Sequence, residues 1–222
     1  LPKQIPLPFR PTAALGRDDF VPSLASAPAL AFIDTWPDWP VTAAALYGPS
    51  GSGKSHLAVI WAERSHAQIV SAVALNGAPI DPSRPLVIED IDTSAPSDAR
   101  DAALFSLLEH KHAPLLLTGS EPPAQWAASL PDLASRFSAL LAFGLWAPDD
   151  AVLAAIARKL FHDRQLTVPD AVIARMVQSL ERSPSAIRDF VAHADAEALS
   201  KGGPINLALV REMLADRDVS PS

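Results

Sequence analysis

From about Val41 the chain alternates short apolar runs with stretches whose apolar residues recur every three or four positions. Short unbroken apolar runs suit strands buried on both faces, and such strands belong to parallel sheets covered by helices. The runs predict strands at 42–47, 69–75, 85–90, 114–118 and 139–144. Helices are predicted between them at 54–65, 98–111 and 123–129; the second opens at Ser97, a good N-cap, and turns Leu104, Phe105 and Leu108 inward. After Trp146 the strands stop, and helices are predicted at about 149–163, 169–181, 184–200 and 206–216, each preceded by Pro, Asp or Asn. The expectation is an α/β unit over 15–146, three layers around a parallel sheet, and then a small all-helical unit over 147–222.

The first forty residues have another texture. Prolines at 2, 6, 8, 11, 22, 28, 37 and 40 remove backbone donors and fix φ too often for a long helix or a central strand. Residues 1–14 are therefore expected to form an extended tail, with loops after it. In Trp36-Pro37-Asp38-Trp39-Pro40 the two indoles are expected to pack a loop against the core.

Chemistry enters between the first strand and the first helix. Gly48-Pro49-Ser50-Gly51-Ser52-Gly53-Lys54-Ser55 meets the pattern G-x-x-x-x-G-K-[ST], with Ala43-Ala44-Ala45-Leu46-Tyr47 before it and Leu57, Ile60 and Trp61 after it. Glycines let backbone N–H groups wrap a phosphate, and the helix N-terminus adds a positive dipole end. Lys54 supplies charge, and the Ser55 hydroxyl can ligate Mg²⁺. A site of this kind needs a carboxylate from a neighbouring strand. Leu86-Val87-Ile88-Glu89-Asp90-Ile91-Asp92 ends an apolar run with acids, making Glu89 and Asp90 the metal-side candidates; acids that merely terminate a strand are the alternative.

Composition narrows the setting. The chain has 222 residues, 49% of them hydrophobic, enough for a buried core, and no cysteine, which excludes disulfides and thiolate chemistry and fits a reducing compartment. No apolar run approaches the roughly 18 residues that would cross a bilayer, so a cytoplasmic protein without a membrane segment is expected. The net charge of -7 lies in residues 1–150, with 9 Lys+Arg against 16 Asp+Glu, while 151–222 carry 9 of each. Neither part is a basic platform for nucleic acid.

From Gly16 to about Leu214 the sequence resembles the AAA+ module of the replication initiator DnaA, and within that group the Hda family of DnaA regulators. The resemblance is carried by Gly48 to Leu57, which includes His56, by Asp132-Leu133-Ala134-Ser135-Arg136-Phe137, and by Ser185-Ala186-Ile187-Arg188-Asp189-Phe190. It implies bound ADP, or ATP, with Mg²⁺, and an adenine framed by Gly16 to Val21, with Arg17, Phe20 and Val21. It further implies a polar sensor at Thr118 or Ser120, a second sensor at Arg188, and an arginine finger, Arg136, working in a neighbour's site. AAA+ proteins usually show Asp before Glu where this chain has Glu89-Asp90, so only weak hydrolysis of its own ATP is expected.

Gln4-Ile5-Pro6-Leu7-Pro8-Phe9 is similar to the peptide by which Hda proteins dock on the sliding clamp, the β subunit of DNA polymerase III. An amide at Gln4 with Ile5, Leu7 and Phe9 on a proline-stiffened segment is preorganised for apolar pockets. The resemblance therefore implies DnaA and the clamp as partners and negative regulation of replication initiation. It leaves a homo-oligomer open and gives no expectation of sequence-specific DNA binding, since nothing resembling the initiator's DNA-reading domain follows the last helices. An autonomous ATPase that self-assembles or loads a helicase is the alternative, with a small-molecule P-loop kinase behind it.

Overall fold

The computed structural model describes residues 16–75, 80–81, 83–110 and 113–219. They divide into two compact units at Ala147/Pro148. In the first, α1 (Ala27–Asp34) precedes β1 (Ala43–Tyr47), α2 (Lys54–Ser65), β2 (Gln68–Ser71), β3 (Leu86–Glu89), α3 (Asp98–His110), β4 (Leu115–Gly119), α4 (Pro131–Ser138) and β5 (Leu141–Gly144). The five strands form one sheet in the order β2-β3-β4-β1-β5, and every pairing is parallel.

Side chains alternate across this sheet as the pleat requires. Ala44 and Leu46 of β1 join Ile33 of α1 and Leu57 and Trp61 of α2 in one buried cluster. Ala45 joins Leu117 of β4, Leu104 of α3 and Phe137 of α4 in another. Helices thus cover both faces, and the strands, buried on each side, need the unbroken apolar runs seen in the sequence.

Three local readings differ. The proline-rich stretch contains α1, because Pro28 sits in its first turn, where a missing N–H costs nothing. Residues 123–129 are not a helix. After Pro122 only the 3₁₀ turn Pro123–Gln125 forms, and the helix lies further on, in α4, again with a proline at its start. The run at 69–75 supplies only the strand Gln68–Ser71 before a 3₁₀ turn at Ala72–Ala74. Ser97 caps α3 as expected, its Oγ accepting from the Arg100 N–H at 3.3 Å.

The second unit holds α5 (Asp150–Asp163), α6 (Asp170–Ser179), α7 (Pro184–Lys201) and α8 (Leu207–Val219). Asp149, Ser183 and Asn206 accept from Val152, Ala186 and Leu209 N–H groups at 2.8, 3.1 and 3.0 Å, capping three of the helices. Leu153, Phe161, Val172, Met176, Ile187, Phe190 and Val210 fill the core between them. Each such side chain contributes about 1.5–3 kcal/mol on burial. Among the described residues no helix is long and apolar enough to cross a membrane.

Candidate functional site

The end of β1 leads directly into the glycine loop. Gly48 N–H donates to the Gly119 carbonyl at the end of β4 (3.2 Å), and Leu145 N–H, just past β5, donates to the Tyr47 carbonyl (2.7 Å). The loop therefore starts from three adjacent strand ends. Gly48 has φ +144°, and a Cβ there would lie 1.8 Å from the Leu145 carbonyl oxygen. Gly53, at φ +100°, begins α2 with the Phe20 ring 3.3 Å from where its Cβ would be. Only glycine fits either position. Gly48→Ala is expected to cost about 3 kcal/mol or more, lowering Tm by roughly 6–12 °C, and to close the loop to phosphate; thermal denaturation with and without ADP measures both.

Lys54 opens α2 and is buried, its Nζ donating to the carbonyls of Gly48 (2.7 Å) and Pro49 (3.0 Å). Burial pushes its ammonium below the ordinary lysine value, and the carboxylates of Asp90, Asp92 and Glu89 push back. The cation is thus held at the loop's mouth in the field of three acids. Ser55 beside it is exposed, and the Ser52 hydroxyl is buried with no hydrogen-bond partner among the described residues. Pro49 and Ser50 are exposed on the loop, and Gly51 is half-buried.

The segment expected to frame adenine packs on this loop. His56 Nε2 lies 3.0 Å from the Gly16 carbonyl, which makes it the N–H tautomer at that nitrogen. Phe20 meets the His56 ring edge-on, with centroids 5.1 Å apart. Val21 is half-buried. Arg17 is engaged elsewhere: its guanidinium grips Asp34, which also binds Arg64.

Glu89 is half-buried at the end of β3. Asp90 follows at φ +59°, exposed, and its N–H donates to Thr118 Oγ1 at 3.1 Å. Thr118 is fully buried and committed to that bond, while Ser120 is exposed. Among the described residues no three or more His, Asp or Glu converge as a metal cage. Mg²⁺ does not need one, because it keeps several waters and takes one or two protein ligands besides phosphate oxygens. Ser55 with Glu89 or Asp90 fits that donor set.

Arg136 stands in the last turn of α4, its guanidinium 4.9 Å above the Phe105 ring and ion-paired with Glu109, both residues of α3. Arg188 lies in the first turns of α7 in the helical unit, half-buried, with no hydrogen bond or ion pair among the described residues. Gln4, Ile5, Leu7 and Phe9 fall outside the described residues.

Sequence reading missed two elements of this region. Asp92 Oδ2 accepts the N–H groups of Ser120 and Glu121, both at 2.7 Å. Arg100 and Asp101, adjacent on α3, are 2% and 0% exposed: Arg100 donates to the Ile91 carbonyl at 3.0 Å, and Asp101 accepts from Ser129 N–H and Oγ–H at 2.5 and 2.8 Å. Charged residues are seldom so buried, and nothing local announces it.

No family model matches the chain. It is 25% identical over 196 residues to the chromosomal replication initiator protein DnaA of Clavibacter sepedonicus, a match covering 77% of this chain and 41% of that protein. The chain thus spans about two fifths of the length of the curated relatives it matches. Domain III of the Thermotoga maritima initiator DnaA superposes with a TM-score of 0.76 at 15% identity, covering 94% of this chain and 98% of that one. AMPPCP-bound DnaA from Aquifex aeolicus superposes at 0.69 with 14% identity, over 81% and 64%. The fold is that of AAA+ P-loop proteins, and the likeness in sequence is to DnaA.

Proposed function

We propose that this chain binds an adenine nucleotide, ADP in the resting form, with Mg²⁺, and regulates replication initiation negatively by promoting hydrolysis of ATP held by DnaA. The loop from Gly48 to Ser55 takes the phosphates and Phe20, Val21 and His56 border the base, while Ser120 serves as a sensor. Ser55 with Glu89 or Asp90 would hold Mg²⁺, which would supply charge neutralisation to the bound phosphates. Asp90 is directed away from a regular strand by its left-handed backbone, and Glu89 precedes it in the reverse of the usual acidic order; this supports weak turnover in cis.

The observation that carries the reading is Arg136. Its side chain is 39% exposed and is oriented by Phe105 and Glu109 of α3, not by the chain's own phosphate loop. A guanidinium so presented can enter a neighbour's site and stabilise charge on a phosphoryl in transit. Residues 4–9 supply recruitment to the sliding clamp.

The test is hydrolysis of DnaA-bound ATP in the presence of DNA-loaded clamp, with and without this protein. Stimulation supports the regulator. Unchanged DnaA-ATP, with turnover by this protein alone that rises with its own concentration, replaces it with the self-assembling motor. Gln4→Ala with Phe9→Ala should weaken retention on immobilised clamp by about a hundredfold or more while ADP binding persists, as expected when two anchors are removed from a short peptide. Full retention would refute docking through this segment.

A further inference from the structure

The parallel ladder between β3 and β4 ends near Ile88 and Leu117, and side chains continue it. Asp90 N–H reaches Thr118 Oγ1, and two residues further along each chain Asp92 Oδ2 receives Ser120 N–H and Glu121 N–H. The same turn is held from two other directions. The Gly119 carbonyl accepts from Gly48 N–H of the phosphate loop, and the Glu121 carbonyl accepts from Trp126 Nε1 at 2.7 Å. The Trp126 indole also lies so close over Gly119 that a Cβ there would be 2.6 Å from its Nε1. Every one of these backbone groups is therefore engaged, and the turn leaves the side chains of Ser120 and Glu121 exposed, Ser120 being one residue beyond the carbonyl that binds Gly48.

We propose that Asp92 is a positioning residue of the phosphate site: by taking the two successive N–H groups it fixes the Ser120 hydroxyl beside the glycine loop, where it distinguishes a nucleoside triphosphate from a diphosphate. This rests on the nucleotide-binding reading of the loop. Two features single out Asp92 from a carboxylate that merely ends a turn. Its second oxygen, Oδ1, is buried with no hydrogen-bond partner among the described residues, an arrangement that costs stability. It also grips the residue that follows Gly119, whose carbonyl accepts the Gly48 N–H of the glycine loop, so it stands at the end of the sheet where that loop begins.

Calorimetric titration with ADP and with the β,γ-methylene analogue of ATP tests the inference. Wild-type protein should discriminate between them. Asp92→Ala removes the grip on the turn and should bring the affinity ratio of the two nucleotides about tenfold closer to unity, with ADP affinity changed less than about twofold. Asp92→Asn, whose amide carbonyl can still accept both N–H groups, should restore the wild-type ratio; a merely structural residue would move Tm without moving the ratio. Ser120→Ala should reproduce the Asp92→Ala ratio, and the double variant should lose nothing more. A wild-type ratio near unity, a wild-type ratio retained by Asp92→Ala, or Asp92→Asn behaving like alanine overturns the role of Asp92 while leaving nucleotide binding in place. Failure of the wild-type protein to bind either nucleotide removes the reading of the loop, and this inference with it.

Discussion

Lys54→Ala lowers affinity for ADP and ATP by about 10²–10³-fold, the effect of deleting two charge-assisted hydrogen bonds to phosphate. Wild-type protein at about 100 times the dissociation constant should gain roughly 5–10 °C in Tm from nucleotide, and the variant at the same concentration should gain no more than about 1–2 °C. Stability without nucleotide moves the other way. Burial holds the Lys54 ammonium below its ordinary value, so the unfolded chain keeps that proton more tightly than the folded one. Between the folded and the ordinary lysine value, stability therefore rises with pH; below the folded value the penalty is present in full. Removing the side chain should flatten that rise and leave Tm at neutral pH equal to the wild type or higher. Thermal scans from neutral pH to about 10 with ADP present and absent read both effects, and a variant that gains as much Tm from ADP as the wild type would overturn Lys54 as the phosphate cation.

The other large effect is at Arg136. Arg136→Ala should remove stimulation of DnaA-bound ATP hydrolysis by about 10³-fold or more, the range known for arginine fingers. Lysine should not rescue it, because an ammonium lacks the planar fork that meets two oxygens at once. Folding should be spared. The ion pair with Glu109 joins two side chains more than a third exposed and contributes at most about 1 kcal/mol, and the contact with Phe105 adds a similar amount. Single-turnover hydrolysis by DnaA, with the variant's Tm measured alongside, decides it; full stimulation by Arg136→Ala would remove the finger assignment.

What was legible in the sequence follows from how local each feature is. The glycine loop requires backbone angles and close approaches that only glycine provides, as at Gly48 against Leu145, so it is spelled out residue by residue. The strands were legible because a sheet covered on both faces needs unbroken apolar runs. Prolines misled in the first forty residues, where Pro28 begins a helix in a stretch expected to be tail and loops, and the helix expected at 123–129 is only a 3₁₀ turn that Pro123 opens. The tie between Asp92 and Ser120 spans 28 positions, as does that between Asp101 and Ser129. Such pairs carry no periodicity, and tertiary contact alone creates them.

The indoles of Trp36 and Trp39, expected only to fasten a loop, do more than that. Phe143, Phe32, Trp39 and Trp61 stack in series at 4.8, 4.3 and 4.7 Å, with Trp36 edge-on to both Trp39 and Trp61. Trp61 belongs to the helix that begins at Lys54. Chromophores this close share their excited states, so the helix that follows the glycine loop carries its own optical signature in the near ultraviolet, and its order can be watched in the unlabelled protein.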